Sequence, residues 1–393
     1  MNKKQLIEGY PDYLIKRIKA EEANRFKRKP TKKMELVMED LKLWQVGVLK
    51  VSFKGGDAVL HKLIANAAAE WSKYANIVFD FGYDSKKNTY RTWHAQDFSP
   101  IRVGFDESGY WSWVGTQSVD EAFCIPGEIS LNLEGFDKKL PDNWQSIVLH
   151  EFGHALGFHH EHQSPVSDCD FDWPALYKYL AEPPNNWSKE TVDYNLRKMA
   201  AGGLIYSPHD RESIMHYSFP AWMFVSKEAS PCYVPENTTL SDEDKRMAQR
   251  AYPFSKNSIV KQRKERIKNL KVALKRWKNV KLNEEFLNSY LVYLTDDTSH
   301  KKLFVEKDES REYKAKKCIL IGAGQARENP NNLEDKAKLS NLLPSSYAYN
   351  LCAELLNELV KTYLASASFT ESELNNCRIV KDVIDMVNTK TKG

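Results

Sequence analysis

Between Ser146 and His162 the chain reads Ser-Ile-Val-Leu-His-Glu-Phe-Gly-His-Ala-Leu-Gly-Phe-His-His-Glu-His, an apolar run that suddenly carries imidazoles four residues apart. On a helix, positions i and i+4 lie one above the other, so His150 and His154 face the same way and can grip one small ion. Glu151 sits one step round, within reach of a water on the ion's open side. Gly157 accepts a backbone conformation that other residues avoid, so it can end the helix and bring His160 back as a third nitrogen ligand. His159 is the rival for that role, but the spacing after Gly157 favours His160 and leaves His159 and His162 as neighbours. Three neutral imidazoles with an open fourth position are the donor set of a catalytic zinc, whereas structural zinc sites close on four protein ligands. A single histidine on an apolar helix is ordinarily a core residue; here five positions of H-E-x-x-H-x-x-G-x-x-H are filled together.

At 393 residues the chain is long enough for two or three domains. A formal charge of +4 argues against nucleic acid as the partner of the whole chain. The N-terminus has lysines but no apolar stretch and no small-residue cleavage site, so it does not read as a Sec signal. No run approaches the roughly eighteen apolar residues of a membrane helix. The six cysteines (Cys124, Cys169, Cys232, Cys318, Cys352 and Cys377) are scattered without a C-x-x-C pair. Together with the missing signal this predicts free thiols made in a reducing compartment.

Residues 1–42 read as a charged helical extension. The basic, Pro30-interrupted run from Arg25 to Lys33 reads first as a solvated linker, and alternatively as an inhibitory or export segment. From Val46 to Phe53 an alternating, β-branched pattern predicts a strand. Asp57 then caps a helix from Ala58 to about Ala75. Ile77–Phe81, Ile101–Phe105 and Glu128–Leu133 predict three more strands. Ser241 followed three residues later by Asp244 opens a capped helix that stops at Pro253, and the domain is placed at 43–254.

Three stretches then carry a family likeness: the zinc motif continuing into Glu161, the segment Ser213-Ile-Met-His-Tyr217, and Gly109-Tyr-Trp-Ser-Trp-Val-Gly115. In these the chain resembles the astacin-like branch of the metzincin zinc peptidases. The resemblance implies an α/β (α+β) metzincin-type fold, with a twisted five-stranded sheet, an active-site helix and a cleft across the domain. It implies one catalytic Zn2+ on His150, His154 and His160, with Glu151 as general base in the hydrolysis of protein or peptide substrates. By the same resemblance Tyr217 is a displaceable fifth ligand that stabilises the oxyanion, and Met215 belongs to a turn flooring the site. Gly157 and Glu161 support the site, Glu161 matching a residue that processed members tie to a new N-terminus. Glu128, Ile129, Ser130, Leu131, Asn132 and Leu133 are expected to be the edge strand that pairs with extended substrate. An Asp in an F-x-G-D motif plugs the zinc of some astacin-type zymogens; Asp57 fits better as an N-cap. The family's disulfide cysteine is replaced by Tyr110, which fits an origin among reduced thiols.

Residues 255–393 are expected to form a mainly helical C-terminal domain. Its start is strongly basic, with Ile267, Leu270, Leu274 and Trp277 on one helical face. That face can dock on a neighbour or lie on an anionic membrane or partner protein. Ile319-Leu-Ile-Gly322-Ala-Gly324 hints weakly at a nucleotide loop, with Arg327 in the third glycine position. Ala348 to Ala365 predicts a helix, with Leu351, Leu355, Leu359 and Tyr363 at four-residue steps. Two localisations are left: export into a host cell by a specialised secretion system, or the cytoplasm. The rival to a zinc endopeptidase is a binding protein that keeps zinc as a relic.

Overall fold

The computed structural model describes residues 9–25, 40–93, 99–120, 123–124, 127–199, 208–276, 281–295, 310–323, 330–343, 346–364 and 366–391. Most of the basic run from Arg25 to Lys33 therefore lies outside the described residues, as do Trp277 and Gly324. The chain divides into two compact units, one running essentially to residue 304 and one from 305 onward, with 93–98 and 125–128 joining the second.

The first unit is built on helix α1 (Asp12–Arg25), strand β1 (Gly47–Lys54), helix α2 (Ala58–Ala68) and strands β2 (Ile77–Asp80), β3 (Ile101–Gly104), β4 (Tyr110–Ser112) and β5 (Leu131–Leu133). Helices α3 (Trp144–Ala155), α4 (Trp173–Leu180), α5 (Lys189–Leu196), α6 (Asp242–Ala251), α7 (Lys256–Arg276) and α8 (Lys281–Thr295) follow. The sheet order is β2-β1-β3-β5-β4, parallel except for β4. Alternation in β1 buries Leu49, Val51 and Phe53 and exposes Val48, which is the period-2 signal of a half-covered strand. Asp57 accepts a hydrogen bond from Leu60 N at 2.8 Å, so it is the N-cap of α2. That helix stops at Ala68, short of Ala75, because the chain tightens into a 3-10 turn at Trp71–Lys73. The tightening lets buried Trp71 donate its indole N–H to Leu149 O on α3 at 2.9 Å.

The expected edge strand is corrected by this topology. Leu131–Leu133 lies between β3 and β4, and Ser130 just before it donates to Arg102 O while accepting from Trp113 N. Both sides of Ser130–Leu133 are thus spent within the sheet, and Tyr110–Ser112 is the edge. The glycines and tryptophans around 109–115 read as a loop, yet the tryptophans pack as strand residues: Trp111 and Trp113 are buried.

The N-terminal segment packs one face on the unit: Leu14, Ile15 and Ile18 are at most 2% exposed, and Leu14 and Ile18 share a cluster with Trp111, Trp113 and Phe123. The break expected at residue 255 also moves. Arg266 on α7 donates to the carbonyls of Asp40 and Leu43 at 2.8 and 2.7 Å. On α8, Tyr293 accepts from Gln45 N at 3.0 Å. Leu270 is fully buried with Ile267 and Leu274 packed nearby, so the apolar stripe of the basic helix docks on its own unit. The second unit packs Arg311–Gly322, Ser346–Tyr363 and Val380–Lys390 around Ile319, Leu356, Val360, Val383 and Val387. Since Ile319–Gly322 is helical, no strand leads into the glycines and the nucleotide-loop context is lost. Among the described residues no helix is long and apolar enough to cross a membrane.

Replacing Arg266 with Ala removes a buried cation from the carbonyls it holds. We expect a loss of about 2–4 kcal/mol, measured by urea unfolding; an unchanged midpoint would show that α7 does not anchor the unit.

Candidate active site

Helix α3 ends in a Schellman arrangement. Gly157 N donates to His154 O at 2.7 Å and Phe158 N to Gly153 O at 3.0 Å, with Gly157 at φ +98°. The orphan carbonyls beyond are taken as well: Trp44 Nε1 donates to Ala155 O at 2.8 Å and the Tyr252 hydroxyl to Leu156 O. A rigid, fully satisfied helix end therefore aims His150 and His154, and the return turn brings His160 opposite them. Ring centroids lie 4.8 Å (His150–His154), 4.4 Å (His154–His160) and 5.1 Å (His150–His160) apart. Their candidate ligand atoms all fall within 4.8 Å of one another.

The tautomers follow from the partners. His150 Nδ1 lies 2.7 Å from Ile214 O, and His154 Nδ1 lies 2.7 Å from Phe158 O. A carbonyl only accepts, so each Nδ1 carries the proton and each Nε2 presents a lone pair. His160 Nδ1 faces Gln163 Oε1 at 3.1 Å. That amide is oriented by its other end, because Gln163 Nε2 donates to Tyr194 O and Arg197 O. His160 Nε2 is therefore also a bare lone pair, only 2.9 Å from His154 Nε2. His150 Nε2 is buried with no hydrogen-bond partner among the described residues. Two lone pairs at that separation repel unless a cation sits between them, so the donor set fits a metal ion. Burial pushes all three imidazoles toward the neutral form, His150 to about 4, and neutral imidazole is the ligating form.

Around the triad, Tyr217 lays its ring 4.7 Å from His150 and 4.3 Å from His160. Glu151 follows His150 on α3 and is 1% exposed. Met215 is buried beneath the helix, where a Cβ on Gly153 would collide with its sulfur. Glu161 leaves the triad on its far side: its amide donates to Met215 O at 3.0 Å. Its carboxylate accepts from Asp210 N, and burial raises the carboxyl to about 8. His162 bonds Asn195 O instead of joining the triad. Of the residues Glu128 to Leu133, Leu131–Leu133 form the inner strand β5 and Ser130 pairs beside it.

Three contributors went unnoticed in the sequence. Gly153 occupies a position that the motif leaves open. Gln163 carries no periodic or motif signal. Asp244 was visible only as a helix cap, yet its carboxylate also accepts from Ser213 Oγ at 2.6 Å and Ile214 N at 2.8 Å. It thereby pins the turn whose carbonyl orients His150. The cysteines also depart from expectation: Cys169 and Cys232 form a disulfide, while Cys124, Cys318, Cys352 and Cys377 are buried thiols outside any disulfide. The 63-residue separation hid the pairing, which the fold alone creates.

The N-terminal segment crosses the outer side of the edge strand. Tyr10 donates its hydroxyl to Ser112 O on the edge strand at 2.5 Å, and Asn195 clamps its backbone through Oδ1 and Nδ2, both at 3.0 Å. Its ring leans on Trp113 and Tyr194. Burial, then the nearby charges of Tyr194 and Glu151, hold that phenol well above its usual pKa. Asp12 accepts from Ser188 Oγ and Thr191 Oγ1 at the start of α5.

A sequence model of the peptidase family described as astacin matches residues 37–265, more than half of the chain. The chain belongs to the astacin family. Zinc metalloproteinase nas-2 of Caenorhabditis elegans is 29% identical over 121 residues, 30% of this chain and 36% of that protein. Zinc metalloproteinase nas-30 of the same organism is 28% identical over 193 residues, 49% of this chain and 21% of that protein. The chain thus spans about a third or less of the length of these astacin relatives. Among solved structures, myroilysin is 34% identical, with 55% of this chain and 97% of that one covered at a TM-score of 0.47. High choriolytic enzyme 1, a hatching enzyme zinc-protease of the medaka fish Oryzias latipes, is 20% identical, covering 53% and 92% at 0.35.

Replacing Gln163 with Leu frees the His160 ring and its tautomer. Metal affinity should fall about 10- to 100-fold in competition with a chelator; unchanged affinity would show that Gln163 does not position the ligand.

Proposed function

We propose that the chain is a zinc-dependent endopeptidase whose one catalytic ion is held by His150, His154 and His160. The observation that carries this is the convergence of three imidazole lone pairs beside Glu151. A zinc bound there supplies Lewis acidity, lowering the pKa of a water toward about 7 and polarising a carbonyl. Glu151 takes the proton from the attacking water and returns it to the leaving amine as the peptide bond breaks. The Tyr217 hydroxyl donates a hydrogen bond to the oxyanion of the tetrahedral state, its ring steadied against His150 and His160. Met215 holds the floor. Extended substrate adds to the sheet through β4, since Ser112 O points away from β5, and not through Glu128–Leu133. A relic that only binds partners has no use for an acid-base carboxylate next to the ligands.

In this reading the N-terminal segment keeps the enzyme latent, because Tyr10 occupies the carbonyl that a substrate strand needs and α1 covers the tryptophans of the edge.

Glu151→Ala should retain one zinc at the triad yet lose about 10²- to 10⁴-fold in turnover of casein, while His154→Ala loses both zinc and turnover. Cleavage by Glu151→Ala at the normal rate would overturn the base assignment, and chelator-insensitive cleavage would overturn the zinc reading. Tyr10→Phe forfeits a hydrogen bond of about 1 kcal/mol and should raise casein cleavage about fivefold. Removing residues 1–25 should raise it further; equal rates in all three forms would refute latency.

A further inference from the structure

A second convergence of metal-ligand atoms is assembled from segments on either side of Tyr217. Cys169, His209 and Cys232 place their ligand atoms within 4.8 Å of one another. His209 Nε2 is 3.9 Å from Cys232 Sγ and 3.0 Å from Nε2 of buried His216. His216 Nδ1 faces Tyr217 O at 2.9 Å, so by the same logic as in the triad its Nδ1 donates and its Nε2 offers a lone pair toward the cluster. The pattern of the catalytic triad is thereby repeated: imidazole Nε2 atoms about 3 Å apart, with a main-chain carbonyl fixing the tautomer. Two sulfurs complete the set.

We propose that Cys169, Cys232, His209 and His216 form a second, structural zinc site that replaces the Cys169–Cys232 disulfide when the chain is reduced. Two cysteines and two histidines are a closed tetrahedral donor set for this metal. With Zn–S of about 2.3 Å and Zn–N of about 2.0–2.1 Å, tetrahedral ligands sit roughly 3.3–3.8 Å apart. The His209–His216 nitrogen separation of 3.0 Å and the His209–Cys232 separation of 3.9 Å already approach those values; the two sulfurs must part, and the His216 ring must close on them to complete the set. A dithiol reductant supplies the two electrons and two protons that convert the disulfide to two thiols and is itself oxidised to its disulfide. The thiols then release those two protons as the ion binds. Either state ties the segment entering α4 to the one carrying Cys232, but only the metal reaches His216, which adjoins Tyr217. The site does not depend on the peptidase reading.

The test uses the full chain loaded with zinc, then with cobalt, after a dithiol and after air oxidation. Reduced protein should hold one zinc ion more per chain than oxidised protein, and the difference should persist in His154→Ala. Reduced cobalt protein should show a thiolate-to-cobalt charge-transfer band, which an all-imidazole triad cannot give. The band should persist in His154→Ala, disappear in the Cys169→Ser/Cys232→Ser double variant, and weaken in His209→Ala. An equal metal content in reduced and oxidised protein, or a band that survives the double variant because it arises at other cysteines, would overturn the proposal.

Discussion

Three imidazole nitrogens with nothing but lone pairs to offer one another are an unfavourable arrangement for a chain without a cation, and the surrounding structure is built to hold it. Each ring is fixed from behind: His150 by Ile214 O, His154 by Phe158 O, His160 by Gln163 Oε1. Each acceptor is fixed in turn. Phe158 belongs to the Schellman turn at Gly157, Gln163 is held by two carbonyls near the end of α5, and Ile214 is pinned through its amide by Asp244 on α6. The centre is thus a junction where α3, its return turn, the Met215 turn and α6 meet. Preorganisation of this kind keeps ring orientation independent of whether a ligand is bound.

The same junction explains residues that carry no chemistry. Gly153 must lack a Cβ because Met215 sulfur occupies that space. Trp44 and Tyr252 close the carbonyls at the end of α3, and Arg266 on α7 holds the backbone at Asp40 and Leu43, just before Trp44. The basic helix therefore stabilises the active-site unit from behind, with its lysines left in solvent, as a docked amphipathic helix does.

The sheet has two edge strands, β2 and β4, and an unpaired edge is a binding surface for any extended chain; β4 is the one beside Tyr10. The structure covers β4 with the protein's own N-terminal segment. Tyr10 acts as a side-chain substitute for a strand, taking one carbonyl of β4, while apolar residues of α1 shield Trp111 and Trp113. The contact that covers this sheet edge is made by the same chain that carries the imidazole triad.

The zinc-motif residues were legible in the sequence because their relations are local: a four-residue step on a helix, a glycine that permits a positive φ, and six residues to the third imidazole. Strands β1, β2 and β3 and the caps at Asp57 and Ser241 were legible for the same reason, as periodicity and capping act within a few residues. The edge strand was not, since Tyr110–Ser112 is three residues long and its place in the sheet depends on pairing with Leu131–Leu133, not on its own pattern. Nor were Gln163 as a ring clamp, the Cys169–Cys232 pair, the second duty of Asp244, or the packing of α7 and α8 onto the first unit. Each depends on contacts between segments tens to hundreds of residues apart, whose geometry is decided by how the helices and sheet pack. The sequence by itself determined the donor atoms and the local shape that can aim them. Only the tertiary structure decided which carbonyls set their tautomers, which strand faces the cleft and what lies across it.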